Sequence, residues 1–159
     1  MCLFFYIVIV FAYYYNLHNC SFYEVFKNYD NASFCFVVSK ESFENENSKI
    51  RQVFNSMKIQ TNGSKVFLNF KSLNKKIKFD EVDYFQVKFV LRNNDVFDIF
   101  EKLKIQELFF EKFEDKKIYY GYSSFYKKFV NLKNKKINFQ FIVDNNYVTV
   151  GYPFVYGSY

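Results

Sequence analysis

Apolar residues recur along this chain in two periods, and each period marks a kind of element. Over residues 21–29, Phe22, Val25, Phe26 and Tyr29 fall at helical spacing, with Glu24, Lys27 and Asn28 opposite, and Asp30-Asn31 breaks the run. Residues 32–40 (ASFCFVVSK) predict a strand with Phe34, Phe36 and Val38 on one face. The polar stretch 41–47 predicts a loop. Ser48 then serves as a fair N-cap for a helix with the stripe Ile50, Val53, Phe54 and Met57. Thr61-Asn62-Gly63 is a strong turn signal. Residues 65–70 and 77–79 predict short strands, with Asn74-Lys75 as the turn.

Residues 83–91 (DYFQVKFVL) alternate more cleanly: Phe85, Val87 and Phe89 or Val90 face inward, and Gln86 and Lys88 face solvent. Asn93-Asn94-Asp95 caps the clearest helix, whose stripe is Val96, Ile99, Phe100 and Leu103. Asp95 and Asp98 at its start and Lys102 and Lys104 at its end suit the helix dipole. Residues 107–113 and 117–123 predict two strands joined by Glu114-Asp115-Lys116. Residues 124–130 fit either a helical face or a loop lid carrying Phe125, Tyr126 and Phe129. Residues 137–143 and 147–151 predict a hairpin through Asn145-Asn146. Beyond it, Tyr152, Phe154, Val155 and Tyr159 carry more apolar surface than a free tail should expose, so this end is expected to pack, with Pro153 at an edge or strand end. Strands running consecutively between helices indicate α+β: a curved antiparallel sheet with helices packed on one face, in two pseudo-similar halves meeting near residues 92–106.

The N-terminus departs from both periods. Residues 1–15 (MCLFFYIVIVFAYYY) hold no charge, and the first twenty contain no Lys, Arg, Asp or Glu. A bilayer span needs about 20 apolar residues, and a run of roughly 15 suits the apolar region of a signal segment. Residues 1–20 are therefore expected to be a signal peptide or N-terminal membrane anchor, with a domain over 21–159 in an extracytoplasmic location. The three cysteines, Cys2, Cys20 and Cys35, lack the even count and regular spacing of a disulfide framework. Cys35, between Phe34 and Phe36, is expected as a small core residue.

Composition sharpens the picture in two places. With 24 Phe and 15 Tyr in 159 residues, the chain can bury a sizeable core as one domain. The net charge of +6 comes almost wholly from Lys, since Arg51 and Arg92 are the only arginines. Arg is the better fork for phosphate and base edges, so specific nucleic-acid binding is not expected. Two basic patches lie near aromatics, one of Lys75, Lys76 and Lys78, the other of Lys127, Lys128, Lys133, Lys135 and Lys136. They fit either an anionic polymer or headgroup surface, or plain solvated lysine. Acidic runs at 41–46 and 107–115 weaken the net field and favour the latter.

Candidate chemistry is sparse. The sole histidine, His18, lies in the leader, which removes Ser-His-Asp and Cys-His schemes and ordinary zinc sites from the domain. Gly63, Gly121, Gly151 and Gly157 are too scattered for a phosphate loop. Asp80, Glu81 and Asp83 fit a solvated turn better than a glycoside-cleaving pair. No catalytic, metal or cofactor residue is assigned.

Three C-terminal blocks carry a family likeness: Tyr120-Gly121-Tyr122-Ser123-Ser124, then Lys135-Lys136-Ile137-Asn138-Phe139-Gln140, then Tyr147-Val148-Thr149-Val150-Gly151-Tyr152-Pro153 with the terminal Tyr159. Together with Phe22-Tyr23-Glu24-Val25-Phe26 and Asn31-Ala32 upstream, they resemble the YwmB family of low-GC Gram-positive, mostly spore-forming bacteria. Where Tyr152 stands, that family usually has a smaller residue. The resemblance implies an N-terminal leader and a fold like that of the TATA-box-binding protein (TBP), and it brings no catalytic residues. Its motif positions here, Gly121, Tyr122, Asn138, Gly151, Pro153 and Tyr159, are expected to be structural. The functional expectation is an exported, non-catalytic module at the outer membrane face, cell wall or forespore space. Its partner would be a protein or an anionic wall or membrane polymer, with membrane contact through residues 1–20. The alternative is a cytosolic nucleic-acid binder using a TBP-like sheet.

Overall fold

The computed structural model describes residues 25–26, 29, 31–44, 57–71, 83–92 and 95–155. Its strands in chain order are β1 (Ser33–Ser39), β2 (Lys58–Asn62), β3 (Lys65–Phe70), β4 (Tyr84–Val90), β5 (Gln106–Phe113), β6 (Lys116–Tyr122), β7 (Val130–Leu132), β8 (Lys135–Ile137), β9 (Phe139–Asp144) and β10 (Tyr147–Tyr152). Eight of them form one curved antiparallel sheet ordered β2-β3-β1-β4-β10-β9-β6-β5, and β7 pairs with β8 alone. Helix α1 (Asp95–Lys102) separates β4 from β5. The protein is α+β.

Period-two alternation decides which face is buried. Phe34, Phe36 and Val38 of β1, Val66, Leu68 and Phe70 of β3, and Phe85, Val87 and Phe89 of β4 turn to the same side. Phe139 and Phe141 of β9 and Val148, Val150 and Tyr152 of β10 continue that core across the sheet. Val90, the other inward candidate in β4, is exposed. Onto this face α1 lays Val96, Ile99 and Phe100, with Leu103 following, and the Phe100 ring lies 4.7 Å from Phe141. Val25 and Phe26, both helical, join the same core, with Phe26 5.9 Å from Phe89. The described helical residues thus pack on one face of the sheet.

Helix α1 is closed at both ends by its own chain. The Asp95 carboxylate accepts the Arg92 N–H at 2.6 Å. At the other end Lys104 takes the left-handed conformation (φ +52°). There the Ile105 N–H donates to the Phe100 carbonyl at 2.8 Å and the Lys104 N–H to Glu101 at 3.1 Å. That double closure is a Schellman motif without the usual glycine.

The sheet has two four-stranded halves, joined where β4 pairs with β10 (Val87 opposite Val150). Their connectivity differs. β1 lies inside the first half, whereas the second inserts the β7–β8 hairpin between β6 and β9.

The structure revises several expectations. Cys35 is not core: alternation turns it away from Phe34 and Phe36, onto the opposite face, where it is half-buried. Residues 40–44 are helical rather than loop, because Ser39 Oγ caps them by accepting the Ser42 N–H at 3.0 Å. β2, exposed along its length, exists through its hairpin with β3, whose turn is Gly63-Ser64 (Gly63 φ +58°). The expected strand 137–143 is broken at Asn138, so Ile137 ends β8 and Phe139 opens β9. Of the two alternatives left open for residues 124–130, the loop holds: residues 124–129 are turn and coil. The leader 1–20, most of the predicted helices at 21–29 and 48–57, the strand 77–79, Lys75, Lys76, Lys78, Asp80, Glu81 and Tyr159 lie outside the described residues. Among the described residues, no helix is long and apolar enough to cross a membrane.

Candidate functional site

The sheet's second face is treated differently in its two halves. Over β9, β6 and β5 it carries a smaller apolar cluster of Tyr120, Ile137 and Phe154, backed by Leu108, Phe109, Ile118, Val130 and Leu132. The β7–β8 hairpin and residues 153–155 contribute to it, so the chain folds back over its own sheet.

Buried polar side chains pin that cover. Asn138 is fully buried; its Oδ1 accepts the Ser123 N–H at 2.8 Å, and its Nδ2 donates to the Ser123 and Tyr126 carbonyls at 2.7 and 3.0 Å. Ser123 Oγ donates to the Leu103 carbonyl at 3.0 Å, tying this corner to the end of α1. Gln140 Oε1 accepts the Val155 N–H at 3.0 Å, and the Tyr152 hydroxyl accepts the Lys128 N–H at 3.0 Å.

The glycines are placed by contact. A Cβ on Gly151 would sit 2.3 Å from the Val155 nitrogen and 2.6 Å from the Phe154 oxygen, because the C-terminal segment crosses directly above it. A Cβ on Gly121 would sit 2.3 Å from Ile105 Cγ2. Pro153, after a cis peptide bond with Tyr152, turns the chain off the end of β10. Tyr122, half-buried, pairs with Gln106 at the end of β6. The motif positions Gly121, Tyr122, Asn138, Gly151 and Pro153 therefore gather where the C-terminal segment and residues 123–138 meet the sheet. Tyr159 lies outside the described residues. Composition gave no sign of the buried Gln140 and Ser123, whose roles depend on partners 15 and 20 residues away.

The same cover carries the second basic patch outward. Phe125 and Phe129 are 47% and 42% exposed, and Lys127, Lys133, Lys135 and Lys136 of the same stretch are exposed as well. Lys136 Nζ lies 4.6 Å from the Phe129 ring centre; Lys133 and Lys135 lie 5.2 and 5.6 Å from that of Phe109. The acidic run of β5 touches the patch through Glu111. Hydrogen bonds from Lys133 and then Tyr120 hold its carboxyl below the usual range. Its charge is thus matched locally by Lys133. A concavity of about 450 Å³ beside the patch is lined by Lys127, Lys128, Phe129 and Pro153, and by Lys65 and Asp83, which pair with each other.

Among the described residues, no group of three or more His, Cys, Asp or Glu could hold a metal ion. No protein-family model matches the sequence, and no curated protein matches it.

Proposed function

We propose that this chain is an exported, non-catalytic binding module that lies against an anionic membrane surface through residues 125–136. The observation that carries the proposal is the exposure, within residues 125–136, of the rings of Phe125 and Phe129 together with Lys127, Lys133, Lys135 and Lys136, of which Lys136 lies over the Phe129 ring. Lysines near an anionic leaflet gain on the order of 1 kcal/mol each, and aromatic rings settle at the headgroup boundary. The neighbouring carboxylate, Glu111, pairs with Lys133 and cancels that one charge, so the field of the second basic patch comes from its other four lysines. The uncharged run 1–15 supports export and a second membrane contact, and the confinement of histidine to His18 supports a non-catalytic role. The YwmB-like, TBP-like assignment belongs to the same proposal, and rests on the C-terminal motif residues and on an antiparallel sheet with helix on one face. A nucleic-acid saddle would need the second face open along the whole sheet, whereas Val130, Leu132 and Ile137 of the β7–β8 hairpin and Phe154 pack on it in one half.

The test compares full-length wild type with F125S/F129S and with K127Q/K133Q/K135Q/K136Q in bilayers of anionic or zwitterionic lipid. On anionic lipid, both variants should weaken the contact of residues 123–137 with the bilayer, and only in the lysine variant should the remaining contact be insensitive to salt. Equal contact for wild type and both variants sinks the proposal.

A further inference from the structure

The register of the sheet puts Lys58, Asn69, Cys35, Gln86, Gly151 and Gln140 in one row across the second face. At one end of the row the chain completes its own hydrogen bonding: Gln140 is 1% exposed and engaged by the Val155 N–H. At the other end it does not. Asn69 and Gln86 are half-buried, and among the described residues their side-chain amides bond to nothing. With Cys35 they lie in an open concavity of about 460 Å³ that is also lined by Lys58, Lys71 and Lys88.

Among the described residues, no carboxylate lines this concavity and none of its three lysines is in an ion pair. Lys88 is steadied by the Tyr147 ring, whose centre lies 4.8 Å from its Nζ. Burial pushes the Cys35 thiol up to about 11, so it stays protonated near neutral pH and adds no negative charge. Three ammonium groups and two free amides exceed what one carboxylate can accept, whereas a phosphate offers acceptor oxygens on every side.

We propose that this concavity binds a phosphate group, with Lys58, Lys71 and Lys88 supplying charge and the Asn69 and Gln86 amides donating to its oxygens. The site shares no residue with the 125–136 surface, so either proposal stands if the other fails. Its position is reached only by folding: the three lysines come from β2, from the end of β3 and from β4.

Full-length ¹⁵N-labelled protein in uncharged detergent, titrated with inorganic phosphate, tests the site. The side-chain amide signals of Asn69 and Gln86 should shift and saturate. K58Q/K71Q/K88Q should weaken binding at least tenfold with an unchanged melting temperature, since all three side chains are exposed. N69L and Q86L, which keep every lysine, should weaken it as well. Parallel titrations with glycerol phosphate, a glycerol-phosphate polymer and phosphatidylglycerol micelles distinguish a free ion, a wall-type polymer and a lipid headgroup as the source, and saturation by any of them upholds the phosphate chemistry. Shifts that stay linear in every titration, or saturation that survives K58Q/K71Q/K88Q, overturn the proposal. Loss in the lysine variant with none in N69L and Q86L also overturns it, in favour of diffuse charge.

Discussion

Asn138 holds Ser123 from both sides, accepting its N–H at 2.8 Å and donating to its carbonyl at 2.7 Å. Through that pair a fully buried amide joins the end of β6, the 123–126 turn and, by way of Ser123 Oγ, the end of α1. A buried amide stabilises only while all its partners are present, because an orphaned group keeps its desolvation cost.

Replacing Asn138 by Leu leaves the Ser123 N–H and two carbonyls without their partner. At about 1–3 kcal/mol for each unsatisfied buried group, a loss of roughly 3 kcal/mol or more is expected in urea unfolding. Ser123→Ala, which removes a single hydroxyl bond, should cost about 1 kcal/mol. A loss under about 1 kcal/mol for Asn138→Leu would mean that other contacts hold the corner.

The two close glycines should respond differently. At Gly151 the added methyl meets the backbone of Phe154 and Val155, which cannot move without lifting the C-terminal segment. At Gly121 its nearest neighbour is the Cγ2 methyl of the Ile105 side chain, with one backbone atom, the Gln106 oxygen, farther off at 3.2 Å. Melting temperatures should therefore fall further for Gly151→Ala than for Gly121→Ala. The reverse order would place the C-terminal segment elsewhere.

The orientation of α1 is tested by two phenylalanines three residues apart. Phe100 is 7% exposed and Phe97 is 57% exposed. Phe100→Ala should destabilise by about 3–5 kcal/mol, and Phe97→Ala by about 0.5 kcal/mol or less. Similar losses in guanidinium unfolding would show the helix face to be wrongly placed.

β1, β4 and α1 were legible because each carries its own period: Phe34-Phe36-Val38, Phe85-Val87-Phe89 and Val96-Ile99-Phe100-Leu103 all face one core. Cys35 was misplaced because its two aromatic neighbours outweighed the alternation that turns it outward. β2 (KIQTN) has no buried face, so nothing local marks it; pairing with β3 makes it a strand. The break at Asn138 hides inside an apolar run, since its cause is the Gly121 carbonyl and Ser123 on another strand and turn. The lysines of 127–136 were visible as a run, but their seating over Phe109 and Phe129 was not. The meeting of Lys58, Lys71 and Lys88 depends wholly on register between strands.

Export is expected from the uncharged run 1–15. Residues 1–30 fused to a reporter active only outside the cytoplasm should give signal. A stable but silent fusion would contradict export through this segment.

Amide hydrogen exchange over residues 123–137, in the full-length chain held in nanodiscs, tests the membrane-facing role most directly. Slower exchange is expected there on anionic lipid than on zwitterionic lipid. Equal exchange over 123–137 on the two lipids would contradict that role.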